Sequence, residues 1–92
     1  MAVNKAILIN DLRRELRWAY KDQSVDNLDR LMRATDEHAF DDDDAAAVAE
    51  ATETYIHFLK AVQRQANADT TIRIKSSAHR LMNAIRNWES TK

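Results

Sequence analysis

The sequence predicts an all-α fold, a compact bundle of three to four amphipathic helices joined by short polar connections. Three observations carry that expectation. The 92 residues contain neither glycine nor proline, the residues that hairpins, phosphate loops and dinucleotide-binding turns need for positive φ or fixed φ. Apolar residues recur three and four apart along most of the chain, which places them on one face of a helix. Each interruption of that pattern is a short polar run containing a helix-capping residue. The length suits one domain, residues 1–92, with a real but modest core.

The first helix is expected over about 4–21, where Leu8, Ile9, Leu12, Leu16, Ala19 and Tyr20 make one apolar stripe. "KDQS" interrupts it. Ser24 is then the N-cap of a second helix, about 24–38, with Asp26 in its first turn and Val25, Leu28, Leu31, Met32 and Thr35 facing inward. A third helix, about 42–66, starts at the aspartate run and carries Val48, Thr52, Tyr55, Leu59, Val62 and Ala66 in a heptad pattern that fits a helix lying along a partner. "NADTT" gives the next break, with Asp69 or Thr70 as N-cap. The fourth helix, about 70–89, repeats the heptad spacing through Ile74, Ala78, Leu81, Ile85 and Trp88. The two heptad stripes fit either bundle core or a dimer seam. Further apolar residues (Ile7, Ile56, Phe58, Met82) favour self-association, with a homodimer as the expected form.

Charge is strongly sorted along the chain although the net value is −1. Residues 1–21 hold five basic and two acidic side chains, +3; residues 22–53 hold two and eleven, −9; residues 54–92 hold seven and two, +5. Antiparallel neighbours would bring the basic ends against the acidic middle; the alternative is two faces for two partners. Cysteine is absent, so thiolate metal sites and disulfides are excluded. No apolar run nears the roughly 18 residues of a membrane span, and the first residues lack the features of a signal peptide. A cytoplasmic protein is expected.

The run Asp41, Asp42, Asp43 and Asp44 is the most conspicuous local feature. Asp41 or Asp42 as N-cap, with Asp43 and Asp44 in the first turn, interacts with the helix dipole and needs no ligand. A calcium loop would need spaced oxygen ligands, a glycine and a later bidentate glutamate, so no metal is assigned. With Asp36, Glu37, Glu50 and Glu53, the run also composes a negative surface suited to a basic partner. Glu53 and His57 share a helical face, but the further ligands of a bundle metal site are missing. Ser76, Ser77 and His79 lie too close along one helix to form a catalytic triad. No catalytic residue and no cofactor is assigned, and an enzyme is not expected. Two basic groups could touch phosphates. One is Arg13, Arg14, Arg17 and Lys21 around Trp18; the other is Arg73, Lys75, Arg80 and Arg86, on the helix that carries Trp88.

"SVDNLDRLM" (24–32), "FDDDDA" (40–45) and "EATETYIHFL" (50–59) resemble the helix starts and the acidic helix of the small Hha/YmoA-like nucleoid modulators. "INDLRRELRWAYKDQSVDNLDRLM" is similar to the N-terminal oligomerisation helices of the H-NS family. About half the chain is covered. Where the modulators have Asp-His-Arg, this chain has Glu53, Thr54 and Tyr55, so only acidic character carries over. The resemblance implies a non-enzymatic regulator that binds the helical oligomerisation domain of a nucleoid silencer.

The reading expected from the sequence is a small bacterial or phage regulator that binds another protein without catalysis. Asp41, Asp42, Asp43, Asp44, Glu50 and Glu53 would supply charge, and Tyr55, Phe58 and Trp18 the apolar anchors. Its partner would be a protein associated with nucleic acid, whose action it modulates or inhibits. Two alternatives are a nucleic-acid binder using the basic helices one and four, and a structural oligomeric subunit of a phage particle.

Overall fold

Four helices form where the periodicity places them. The computed structural model describes residues 3–17 and 22–91, which fold as α1 (Lys5–Arg17), α2 (Val25–His38), α3 (Asp43–Arg64) and α4 (Ala68–Ser90). Among the described residues there is no strand and no positive φ. Chain reversal is instead achieved through extended cap residues: Ser24 at φ −90°, ψ 119°, Asp42 at −144°, 106° and Gln65 at −156°, 102°. Such backbone suits any side chain, which is how the chain turns without glycine.

The helices occupy the corners of a square in chain order. α3 packs against α2 on one side and α4 on the other; α1 closes the square with thinner contacts to α2 and α4. The bundle measures 39 × 21 × 20 Å, consistent with the roughly 33 Å that a 22-residue helix spans at 1.5 Å per residue. No helix is long and apolar enough to cross a membrane.

Both heptad stripes are consumed inside this square. Val48, Tyr55, Leu59 and Val62 of α3 meet Ile74, Leu81, Ile85 and Trp88 of α4, with Leu8, Leu12, Leu28 and Leu31 closing the core from the other side. The seam that the heptads offered is therefore internal, and Ile56 joins the core as well. Ala45, Ala49 and Ala51 are buried along α3; with only a methyl group at these positions, neighbouring backbones can approach closely. Thr35 and Thr52 lie fully inside, and each hydroxyl donates to its own helix one turn back, to Leu31 O at 2.8 Å and Val48 O at 2.7 Å. This removes the penalty of an unpaired buried hydroxyl.

Several boundaries differ from expectation, each for a local reason. α4 begins at Ala68, because Asn67 rather than Asp69 or Thr70 is the N-cap. Asn67 Oδ1 accepts from Thr70 N at 2.9 Å and Thr70 Oγ1 accepts from Asn67 N at 2.9 Å, a reciprocal capping box. Asp69 falls in the first turn and pairs with Arg73 at 3.1 Å. α3 stops at Arg64, so Ala66 lies exposed in the link and leaves the heptad. Ala78 is only half-buried. Trp18, Ala19, Tyr20 and Lys21, expected in the first helix, lie outside the described residues.

Candidate functional site

The α2–α3 link, Ala39 to Asp42, divides into an inward half and an outward half. Asp42 turns inward. Its Oδ1 accepts from Asp44 N at 3.0 Å and Ala45 N at 3.3 Å, capping α3. Its Oδ2 accepts from the Trp88 indole N–H at 3.0 Å, forty-six residues away in the chain. That indole is fully buried, so the carboxylate supplies the partner its N–H requires. The Trp88 bond, followed by the two backbone N–H groups and the Lys5 ammonium, holds the Asp42 carboxyl below the usual carboxylate range.

Other groups close around the same indole. His38 meets it edge-on at 5.6 Å between centroids, and His38 Nε2 donates to Val3 O at 2.6 Å. Lys5 Nζ sits 5.5 Å from the ring centroid and donates to Thr91 O at 2.9 Å. Arg13 grips Glu89 with two bonds of 2.6 Å, which lowers the Glu89 pKa and raises that of Arg13. These contacts tie both ends of the described chain to the start of α3.

Phe40 and the aspartates beside it point the other way. Phe40 is 97% exposed, the most exposed of the large apolar side chains. Asp41, next in the chain, and Asp43, at the start of α3, are exposed, as are Asp36 and Glu37 one turn before. The negative surface continues down the α2–α3 groove to Glu50 and Glu53. Neither Asp41, Asp43, Glu50 nor Glu53 has an ion pair within 4 Å among the described residues.

Of the carboxylates expected at a partner surface, Asp41, Asp43, Glu50 and Glu53 are exposed, and Asp42 is the N-cap that the sequence offered as one of two choices. Asp42 is architectural, and Asp44 is half-buried beside it. Tyr55 is corrected outright: it is 2% exposed, and its hydroxyl donates to Gln23 Oε1, so it cannot meet a partner at the surface. Burial, only partly offset by the Gln23 bond, pushes its phenol pKa up. Gln23 in turn donates to Glu15 O, and Gln63 Nε2 donates to Gln23 O at 3.2 Å. Phe58 is half-buried beneath Arg73, whose guanidinium carbon lies 6.0 Å from the ring. Trp18 lies outside the described residues. Phe40 was not among the apolar anchors expected from the sequence, yet it is the most exposed large apolar side chain among the described residues. Its signal was a large aromatic in a polar link, outside either neighbouring apolar stripe.

The basic side chains do not assemble into one track. Arg13, Arg17 and Arg86 rim a groove between α1 and α4, whereas Arg73 and Arg80 line a different cleft beside Phe58 and Ile72. Arg14 turns to Asp11 at 3.6 Å, Lys75 is exposed, and Lys21 lies outside the described residues. Trp88, grouped with the α4 cations from the sequence, is fully buried.

Glu53 and His57 share a shallow depression with Glu50 and Thr54 on the outer face of α3. Among the described residues no three histidine or carboxylate side chains converge as metal ligands. The Ser77 hydroxyl donates to Ile74 O at 3.0 Å, within its own helix. No known protein family, curated protein or solved structure matches the chain.

Proposed function

We propose that this protein is a small non-catalytic regulator that binds a basic protein through its acidic α2–α3 face, with Phe40 as the apolar anchor. The observation that carries the reading is Phe40 itself. Leaving a phenylalanine in water forgoes roughly 1.5–3 kcal/mol of burial. Here the ring sits at the edge of a negative field built by Asp36, Asp41, Asp43, Glu50 and Glu53. An aromatic that enters a pocket on the partner supplies affinity, while surrounding charges speed encounter and select the partner. Proteins that bind nucleic acid present the complementary basic surface. The resemblance of residues 24–59 to Hha-like modulators points toward the same class of partner. The division of the α4 cations between two clefts weighs against direct nucleic-acid binding, which favours a continuous basic track.

The test is capture of partners from a host lysate, followed by titration of the purified captured protein. Phe40→Ala and the pair Asp41→Asn, Asp43→Asn should each weaken that complex at least tenfold at unchanged thermal stability. Capture dominated by nucleic acid, or a protein complex indifferent to all three substitutions, would overturn the reading.

A further inference from the structure

The square arrangement of the helices puts two grooves of opposite charge on opposite sides of one molecule. Between α1 and α4 lies a groove of about 240 Å³, floored by Leu16, Met82 and Ile85 and rimmed by Arg13, Arg17 and Arg86. Between α2 and α3 lies one of about 190 Å³, floored by Met32, Ala46 and Ala49 and rimmed by Asp36, Glu50 and Glu53, with Arg33 as the one cation among its lining residues. α1 is diagonal to α3 and α2 to α4, so the two grooves face away from each other.

Each rim has unspent charge. Arg13 is engaged by Glu89, but Arg17 and Arg86 are exposed and make no ion pair within 4 Å among the described residues. On the far side Arg33 lines the groove but pairs with Asp29 at 3.1 Å, and Asp36, Glu50 and Glu53 make no ion pair within 4 Å among the described residues, so the three carboxylates outnumber the one cation. The floors also match in shape. Met82 stands 47% exposed from the basic groove, while Ala46 and Ala49 leave the acidic groove hollow. A flexible thioether over two methyl groups is a contact methionine fills readily.

We infer that a second copy of this chain seats its acidic α2–α3 groove on the basic α1–α4 groove of the first. Arg17 and Arg86 face Glu50 and Glu53 across that contact, and Met82 enters the hollow above Ala46 and Ala49. The two surfaces differ and lie on opposite sides, so the contact is heterologous. No two-fold axis closes it, and each added copy presents a fresh groove for the next. The assembly grows head to tail. It uses neither heptad stripe, and it covers part of the acidic face offered to a basic partner, so such a partner would compete with chain growth. The inference is independent of that partner, because it is read on pure protein.

The experiment is sedimentation velocity on the purified 92-residue chain at about 50 mM and about 0.5 M salt, where screening lengths differ severalfold. The weight-average mass should exceed the 10.6 kDa of one chain at low salt, rise with concentration and fall at high salt. Two exposed double variants separate the faces: Arg17→Ala with Arg86→Ala, and Glu50→Gln with Glu53→Gln. Each alone should remain monomeric, and an equimolar mixture should give a one-to-one heterodimer and nothing larger, since each retains one working groove. A wild-type mass fixed at one chain under all conditions overturns the inference. So does a wild-type mass that stops at two chains, variants that associate like wild type, or a mixture that yields no heterodimer.

Discussion

The start of α3 and the start of α4 are both capped by a side chain that accepts from the first turn, yet the two caps work on different scales. The side chains of Asn67 and Thr70 bond only to each other's residue and to the Gln65 carbonyl, so the capping contacts of α4 are complete within six residues. Asp42 spends one carboxylate oxygen on its own helix and the other on Trp88 at the opposite end of the chain. The local cap defines where a helix begins. The shared cap also defines how that helix sits against another, and the link it belongs to leaves Phe40 in water. A chain without glycine can still make both kinds of start; the one that crosses the fold is the one beside the candidate binding surface.

The largest break in this comparison comes from Trp88→Ala. It removes the bulkiest fully buried side chain and the N–H that Asp42 receives, and should cost about 3–5 kcal/mol in chemical denaturation. Asn67→Ala removes only a local cap and should cost about 1 kcal/mol, leaving the packing of α3 on α4 intact by near-ultraviolet dichroism. Acid sharpens the contrast further. The depressed Asp42 carboxyl contributes stability that is complete above the unfolded aspartate value of about 3.9 and fades as pH falls through its lower folded value. Denaturant midpoints measured below about pH 4 should therefore drop more steeply for wild type than for Asp42→Asn, whose side chain has no carboxyl to protonate. The smallest effect on stability belongs to Phe40→Ala, within about 0.5 kcal/mol, because the ring is already in water.

What the sequence made legible follows the same division. The number of helices, Ser24 as a cap and the inward faces of α2 and α3 depend on spacings of three and four and on capping chemistry that acts within a turn. The start of α4 was misread by two residues because "NADTT" offers several capping residues in a row, and only the geometry selects Asn67. Contacts between distant residues left no local trace. Nothing in "DDDD" distinguishes Asp42, bonded to Trp88, from Asp41 and Asp43, which face solvent. Tyr55 looked like a surface anchor beside Glu53, yet it occupies a heptad position whose inward direction buries it against Gln23. The cations of α4 read as one patch because they are close in sequence, whereas the turn of the helix sends Arg73 and Arg80 to one cleft and Arg86 to another.

The division of labour among the aspartates is tested most directly by comparing the unfolding free energy of Asp42→Ala with that of the double variant Asp41→Ala, Asp43→Ala. Losing the cap costs about 0.5–2 kcal/mol and orphaning a buried indole N–H about 1–3 kcal/mol, so Asp42→Ala should lose at least about 1.5 kcal/mol. The double variant gives up only exposed charge near the helix start and should lose less than about 1 kcal/mol. Equal losses in the two proteins would contradict the assignment of Asp42 to the fold and of its neighbours to the surface.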